Sequence, residues 1–367
     1  MIFLINASNL KQGGGIQVAD SVCRELYKYP QHQFVVVLSS SFTNTVQVVS
    51  EYPNADVYSY DIRNSAKTLL RGRDAFLDGL VEEKKVDAVL TIFGPSRWRP
   101  RCKHLCGFAR AQLLKEVNPN VHLKPKERIA YSIWKWGFRK SADTFYTENQ
   151  YISAMLPKLL GNVQVFTVTN YYNQVFDKPE LWKEKALPVF DGITLLTISN
   201  AYPHKNLEIA VATARILKKS HPDFRFRFAY SIEREQLQAD LSGIEEHFVF
   251  IGTVDITECP SLYRQSNIAF QPTLMECFTA TYPEAMRMGV PIVTTDLEFA
   301  RGLCGDAACY YSAVDAKACA EAIYKVATDE AYRSGLTERG KGQLQKYDNY
   351  EERAKKLVEI LETIVRS

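Results

Sequence analysis

The chain has 367 residues, 46% of them hydrophobic and 24% charged, with a formal net charge of +3. That length fits two domains of ordinary size, and that composition excludes a disordered, collagen-like or low-complexity chain. No apolar run approaches the ~20 residues needed to span a bilayer, so any membrane contact is expected to be peripheral.

The first residues, Met1-Ile2-Phe3-Leu4-Ile5-Asn6, lack the basic region and long apolar stretch of a signal peptide and read as a buried strand. Short apolar, β-branched runs predict strands over 1–7, 34–40, 55–60, 86–93, 104–109, 144–148 and 164–169. A second set covers 193–199, 224–230, 248–254, 267–272, 291–295 and 308–312. Helical patterns lie between most of them, for example over 15–28, 204–219, 281–288 and 316–327, and 350–366 reads as a final amphipathic helix. Alternating buried strands and helices predict an α/β fold of two Rossmann-like domains with parallel sheets. The seam falls near 170–190, where Asn170-Tyr171-Tyr172-Asn173 and Asp177-Lys178-Pro179 are turn-rich. The expected domains are 1–172 and 173–349, with the final helix a candidate to pack back on the first. Ligands of open α/β sheets bind at the carboxyl ends of the strands, so two such domains facing each other predict a site in a central cleft.

Gly13-Gly14-Gly15 lies between a strand and a helix. Glycine permits close backbone approach to a ligand, and a bare tight turn is the alternative reading. A dinucleotide fingerprint needs G-x-G-x-x-G, but counted from Gly13 the last position is Val18, which disfavours a dehydrogenase. The eight cysteines are scattered without a CxxC pair. Cys102, His104 and Cys106 alternate like one strand face, but no second ligand pair accompanies them, so reduced core cysteines of a cytoplasmic protein are expected.

Charge is unevenly spread. Residues 97–140 hold twelve Lys or Arg against two acids, Glu116 and Glu127, so the rest of the chain is net acidic. Trp98, Tyr131, Trp134, Trp136 and Phe138 interleave with these cations. Such a stretch is either a solvated helix face over core aromatics or a surface for an anionic partner: a membrane leaflet, a lipid diphosphate or nucleic acid. Arg97, Trp98, Arg99 and Arg101 are its candidate contacts, and cations among aromatics suit a membrane interface.

The most informative segment is Glu276-Cys-Phe-Thr-Ala-Thr-Tyr-Pro-Glu284-Ala-Met-Arg-Met-Gly289-Val-Pro291. It follows a predicted strand and opens a helix, with Pro283 in the first turn and Gly289 at the stop. Glu276 thus falls in a loop at a strand's carboxyl end, beside helix N–H groups suited to a diphosphate. A carboxylate there can accept hydrogen bonds from sugar hydroxyls. Thr281-x-x-Glu284 also fits a capping box, which would turn Glu284 back onto its own helix. The plain reading of Glu276 is a surface loop acid, and that of Lys205 a first-turn lysine.

Glu276-x7-Glu284 with Ala285-Met286 and Gly289-Val290-Pro291 resembles the signature of glycosyltransferase family 4, in the two-domain GT-B architecture. Ser199-Asn200-Ala201-Tyr202-Pro203-His204-Lys205-Asn206 is similar to the family's phosphate-binding lysine segment, and Gly305-Asp306-Ala307-Ala308 with the helix after Asp315-Ala316 follows its usual course. In the first half the similarity is looser, at Gly13–15 and at Asn170. The resemblance implies that Glu276 contacts the donor sugar, Glu284 the ribose, and Lys205 the diphosphate. It implies a donor site of Gly14, Gly15, Asn200, His204, Lys205, Gly252, Val254, Glu276, Cys277, Phe278, Thr279, Ala280 and Glu284. It also implies transfer with retention of configuration and without a metal-binding DxD motif, and the chain contains no DxD.

Two positions depart from the family pattern. Its usual arginine a few residues before the lysine is absent, so that either His204 takes part of its role, another group such as Arg110 fills it, or the role is missing. Its usual histidine at the end of a first-domain strand is replaced by Phe108-Ala109-Arg110, while His104 lies at the strand's other end and reads as structural. Glu276, Lys205 and Arg110 are therefore the expected catalytic residues. The expected function is transfer of a hexose-type sugar from a nucleoside diphosphate donor, uridine favoured and guanosine second. The acceptor is expected to be a glycan or polyprenyl-diphosphate-linked glycan of bacterial surface polysaccharide or lipopolysaccharide synthesis. No cofactor, metal or nucleic acid is expected, and the location is the inner face of the cell membrane. A catalytically inactive sugar-binding module of the same fold is the alternative.

Overall fold

A computed structural model describes residues 1–11, 13–62, 72–113 and 125–367. It divides into two compact units. The first holds the described residues up to Tyr171 together with Asp348–Ser367, and the second spans Tyr172–Tyr347.

The strands of the first unit are β1 (Ile2–Ala7), β2 (Gln33–Leu38), β3 (Ala55–Ser59), β4 (Ala88–Thr91), β5 (Lys103–Gly107), β6 (Thr144–Thr147) and β7 (Gln164–Thr167). All pair in parallel, in the order β3-β2-β1-β4-β5-β6-β7. The second unit contains β8 (Ile193–Thr197), β9 (Phe226–Tyr230), β10 (Phe248–Phe250), β11 (Ile268–Gln271), β12 (Ile292–Thr295) and β13 (Ala308–Tyr311), parallel in the order β10-β9-β8-β11-β12-β13. Each strand overlaps one predicted run. The reason is physical: a parallel sheet covered on both faces buries every position, so its strands are near-continuous runs of Val, Ile, Leu and Phe.

Alternate residues divide the first sheet between two cores. Phe3, Ile5 and Ala7 of β1 face one side with Phe34, Val36 and Leu38 of β2. Leu4, Val35 and Val37 face the other, against Leu77 and Leu80 of the Ala75–Glu83 helix. In the second unit β8, β9 and β11 share a core with Ala214 and Leu217 of the Ile209–Ser220 helix and Ile323 and Val326 of the Ala316–Thr328 helix.

In both sheets the chain first moves outward to one side and then crosses to the other, so the order reverses between β1 and β4 and between β8 and β11. At such a switch point the connections diverge and leave a crevice at the carboxyl ends of the strands. Gly13–15 follow β1, while residues 198–206 and 272–280 follow β8 and β11.

The helix predicted over 204–219 begins only at Ile209. Pro203–Lys205 is a separate 3-10 turn, closed by Asn206 in the left-handed conformation at φ +51°. Asparagine tolerates that conformation better than most residues, and it separates the turn from the helix.

The last helix, Tyr350–Arg366, starts at an Asn349 cap whose side chain accepts from the Glu352 N–H while Glu352 bonds back. Leu357, Val358, Ile360, Leu361 and Ile364 lie in the same core as Phe3 and Phe34 of the first unit. Arg353, also buried, donates to Asn170 Oδ1. Beside it the buried Glu148 carboxyl is pushed up to about 7 by desolvation, against the opposing pull of the Arg353 charge and Asn170. Leu361→Ala deletes a fully buried side chain, and it should destabilise the first unit by about 2–5 kcal/mol in denaturant unfolding. A loss below about 0.5 kcal/mol would show that the helix is not part of that core.

Candidate functional site

The site is built from the bottom up by strand pairing. Parallel pairing of β8 with β11, with Leu195 opposite Ile268 and Leu196 opposite Ala269, brings the two strand-end loops side by side. Hydroxyls then tie the strand ends together. Thr197 Oγ1 donates to Phe270 O at 2.6 Å, Thr294 Oγ1 to Gln271 O at 2.8 Å, and Thr295 Oγ1 to Thr273 O at 2.7 Å. The loops are joined directly as well: Leu274 N–H donates to His204 O at 2.7 Å, and Thr273 Oγ1 lies 3.3 Å from the same oxygen.

This frame sets Lys205 Nζ 2.5 Å from Glu276 Oε1, with Thr273 Oγ1 donating to the same oxygen at 2.9 Å. The lysine side chain is 17% exposed and the glutamate 11%. Glu276 is therefore no surface loop acid, and Lys205 no first-turn helical lysine. Each satisfies the other at a strand-end switch point. Charge-assisted contacts of this kind strengthen as water is withdrawn. Around the pair, Cys277 and Thr279 are buried, Phe278 and Ala280 are half-buried, and His204 stacks on the exposed Tyr202. Burial pushes the His204 imidazole below its usual range, opposed by Glu276 and assisted by Lys205, which favours the neutral ring. Asn200 is exposed at the front of the β8 loop.

Glu284 lies in the Thr281–Arg287 helix, whose N-cap is Ala280 with no side-chain cap bond. The capping-box reading therefore fails. Thr281 is already helical, and the Glu284 carboxylate instead accepts from the Tyr263 hydroxyl at 3.0 Å. Burial pushes this carboxyl up to about 7, with the Tyr263 hydrogen bond pulling the other way. Gly289 ends the helix at φ +68°, as its position after the periodic run predicts. Gly252 has φ +68°, and a Cβ there would sit 2.6 Å from Glu233 Oε1. Val254, two residues on, is half-buried.

Gly14, Gly15 and Arg110 belong to the first unit. Gly13 has φ +79°, which accounts for a glycine there. A Cβ at Gly14 meets no atom within 4 Å, so the chain's own packing does not explain the absence of a side chain. The Arg110 guanidinium lies 4.3 Å from the centre of the Trp134 ring. His104 is structural: Nε2 is 2.9 Å from Thr91 Oγ1, Nδ1 is 2.8 Å from Ser141 O, and burial lowers its pKa to about 4.

The basic segment is corrected at one residue. Trp98, read as a surface contact, is 0% exposed, packs in the core of Leu4, Val35 and Leu77, and donates its indole N–H to Asp78 Oδ1 at 2.9 Å. Arg99 pairs with Asp143, just ahead of β6, so it lies at the amino edge of the sheet. Arg97 is half-buried at φ +56°, and Arg101 is exposed. Residues 114–124, which include Lys115, Glu116 and Lys124 of the same segment, lie outside the described residues.

Sequence reasoning missed Thr273 and Tyr263. Thr273 stands three residues before Glu276, a local spacing that hints at the contact. The Tyr263–Glu284 contact spans 21 residues and has no such signal.

Similar solved structures extend over the whole chain. Sucrose-phosphate synthase from Thermosynechococcus elongatus has a TM-score of 0.72 at 16% identity, covering 100% of this chain and 99% of that one. A glycosyltransferase from Rickettsia africae has a TM-score of 0.69 at 15% identity, covering 100% and 98%. Anabaena HepE, in complex with UDP and glucose, has a TM-score of 0.69 at 14% identity, covering 99% of each. At such identity the likeness is one of fold, and the class it defines is the GT-B architecture. Within that class, residues 180–343 match the model of the glycosyl transferases group 1 family. A phosphatidyl-myo-inositol mannosyltransferase of Mycobacterium leprae is 24% identical over 168 residues, 45% of this chain and 45% of that protein. The chain thus aligns with less than half of that relative's length.

The raised carboxyl of Glu284 has a stability consequence. Its folded pKa lies above the unfolded value, so its contribution is fully present below the unfolded pKa and is lost as pH rises through about 7. The loss is at most about 3 kcal/mol, and Glu148 adds one of the same sign. Glu284→Gln should flatten the fall in unfolding free energy between about pH 5 and about pH 8. An unchanged slope in paired denaturation curves would contradict this.

Proposed function

We propose that this chain is a retaining, metal-independent glycosyltransferase. It moves a hexose-type sugar from a nucleoside diphosphate, uridine favoured and guanosine second, to a glycan or polyprenyl-diphosphate-linked glycan in bacterial surface polysaccharide synthesis. One observation carries the reading: the shielded Lys205–Glu276–Thr273 cluster at the β8–β11 switch point, inside the segment that matches the group 1 family. The donor belongs with the second unit and the acceptor with the first. Lys205 neutralises the diphosphate, Glu276 accepts from sugar hydroxyls, and Glu284 accepts from the ribose. On the first unit, Gly14 and Gly15 let a ligand approach the backbone closely, and Arg110 is that unit's candidate cation.

In the transfer, the acceptor oxygen bonds to the anomeric carbon as the bond from that carbon to the phosphate oxygen breaks. The acceptor's proton passes to the departing phosphate oxygen on the same face, so configuration is retained. The charge on the leaving diphosphate grows as the bond breaks, and a cation already in place stabilises it without reorganisation. No cofactor is invoked. Lys205→Ala and Glu276→Gln should each lower kcat/KM for the nucleotide-sugar by about ten- to a hundred-fold. Activity retained in both would refute the assignment. Donor binding without transfer to any acceptor would favour the alternative, a sugar-binding module.

The location proposed is peripheral, on an anionic inner membrane face. No helix of the described residues is long and apolar enough to cross a membrane. Support comes from the Pro125–Ser141 helix, where Ile129, Ile133 and Trp136 share one face and are 65%, 47% and 40% exposed. Lys140 lies 4.8 Å from the Trp136 ring, and Arg128 and Arg139 are exposed beside this face. Ile133→Asp or Trp136→Asp should weaken co-sedimentation with phosphatidylglycerol vesicles by about ten-fold, while neutral vesicles bind neither form. Unchanged sedimentation would remove the membrane from the reading.

A further inference from the structure

We propose that Tyr263 is a positioning residue: it orients the Glu284 carboxylate toward the ribose hydroxyls of the donor and so sets the site's preference for a ribonucleotide. The inference rests on the reading of Glu284 as the ribose acceptor and adds the group that makes that acceptor work.

Glu284 is 5% exposed, does not cap its helix, and among the described residues forms no ion pair. Arg287, one turn along, is turned away to Asp177 at 2.7 Å. A buried carboxylate without a cation is costly unless hydrogen bonds replace the lost water. Among the described residues the side-chain donor to it is Tyr263, on the Cys259–Arg264 helix. The phenol has one proton to give. Its alternative acceptor, Thr281 O, lies at 3.4 Å against 3.0 Å for Glu284 Oε2, so the carboxylate takes it.

A carboxylate has about four acceptor positions, and one bond from Tyr263 leaves the rest free for adjacent ligand hydroxyls. The terminal torsion of a glutamate is broad and sets the plane of the two oxygens. Tyr263 fixes that plane at one oxygen. The tyrosine is itself fixed, being 1% exposed with Phe176 at 6.1 Å between ring centres. Two helices that are separate in sequence are thereby locked together at the point where a vicinal diol is to be read.

The test deletes the ligand's hydroxyls as well as the protein's. Binding of UDP and 2′,3′-dideoxy-UDP, with the guanosine pair in parallel, is measured by calorimetry on the wild type, Tyr263→Phe, Glu284→Gln and the double variant. The wild type should prefer the ribonucleotide by about ten-fold or more. Tyr263→Phe should lose most of that preference while keeping its affinity for the dideoxynucleotide, and the double variant should match Glu284→Gln alone. A Tyr263→Phe protein that weakens on both ligands equally has lost packing only, and one that keeps the full preference shows no positioning. Either result overturns the inference while leaving the ribose reading intact. Preference retained in Glu284→Gln, or absent from the wild type, overturns the ribose reading and this inference with it.

Discussion

A lysine and a glutamate 2.5 Å apart, largely withdrawn from water, fix the strand-end geometry of the second unit. Each would be expensive to hold there alone, since a partly buried charge without a partner loses more hydration than nearby dipoles return. Together they hold the β8 and β11 loops at one spacing. The threonine hydroxyls beneath them, Thr197, Thr294 and Thr295, pin the same strand ends through backbone carbonyls. The pair is therefore a structural clasp in the free protein and, on the function proposed, the charge carrier of the bound one. An anion arriving at Lys205 competes with Glu276, and a hydroxyl arriving at Glu276 competes with Lys205. A donor that brings both kinds of group can satisfy both partners at once.

The sheets were legible in the sequence because fully covered parallel strands are unbroken apolar runs, and local composition reports them directly. The start of the helix after Lys205 was not legible. Its periodicity extends backward through a turn that a single left-handed residue, Asn206, cuts off. The pairing of Glu276 and Glu284 was visible as a spacing, but their environments were not. Glu284 was ambiguous between a cap and a ligand because a capping box and a binding carboxylate share one local pattern. The cap is excluded because the carboxylate accepts from a tyrosine of another helix, and no short-range rule could supply that contact. Trp98 failed for the opposite reason. Aromatics among cations look the same in sequence whether they face a membrane or a core.

The first unit is less fully explained by family likeness than the second. His104 is committed at both ring nitrogens to Thr91 and Ser141, and Arg110 to the face of Trp134. Gly13 is required by its backbone, whereas the open space at Gly14 is left unused by the chain's own packing. Such unused space at a strand end is what a bound molecule occupies when a fold is adapted to a ligand.

The return of the Tyr350–Arg366 helix to the first unit has a consequence for the order in which the protein matures. On the ribosome, every residue of the second unit emerges before this helix does. Synthesis from residue 171 to residue 366 takes on the order of ten to forty seconds. For that interval the sheet face of Phe3, Ile5 and Leu90 lacks the cover given by Leu357, Leu361 and Ile364, and Glu148 lacks its arginine. The unit begun first is thus completed last, and its nascent form presents an apolar surface to chaperones and proteases while the other unit is already able to close.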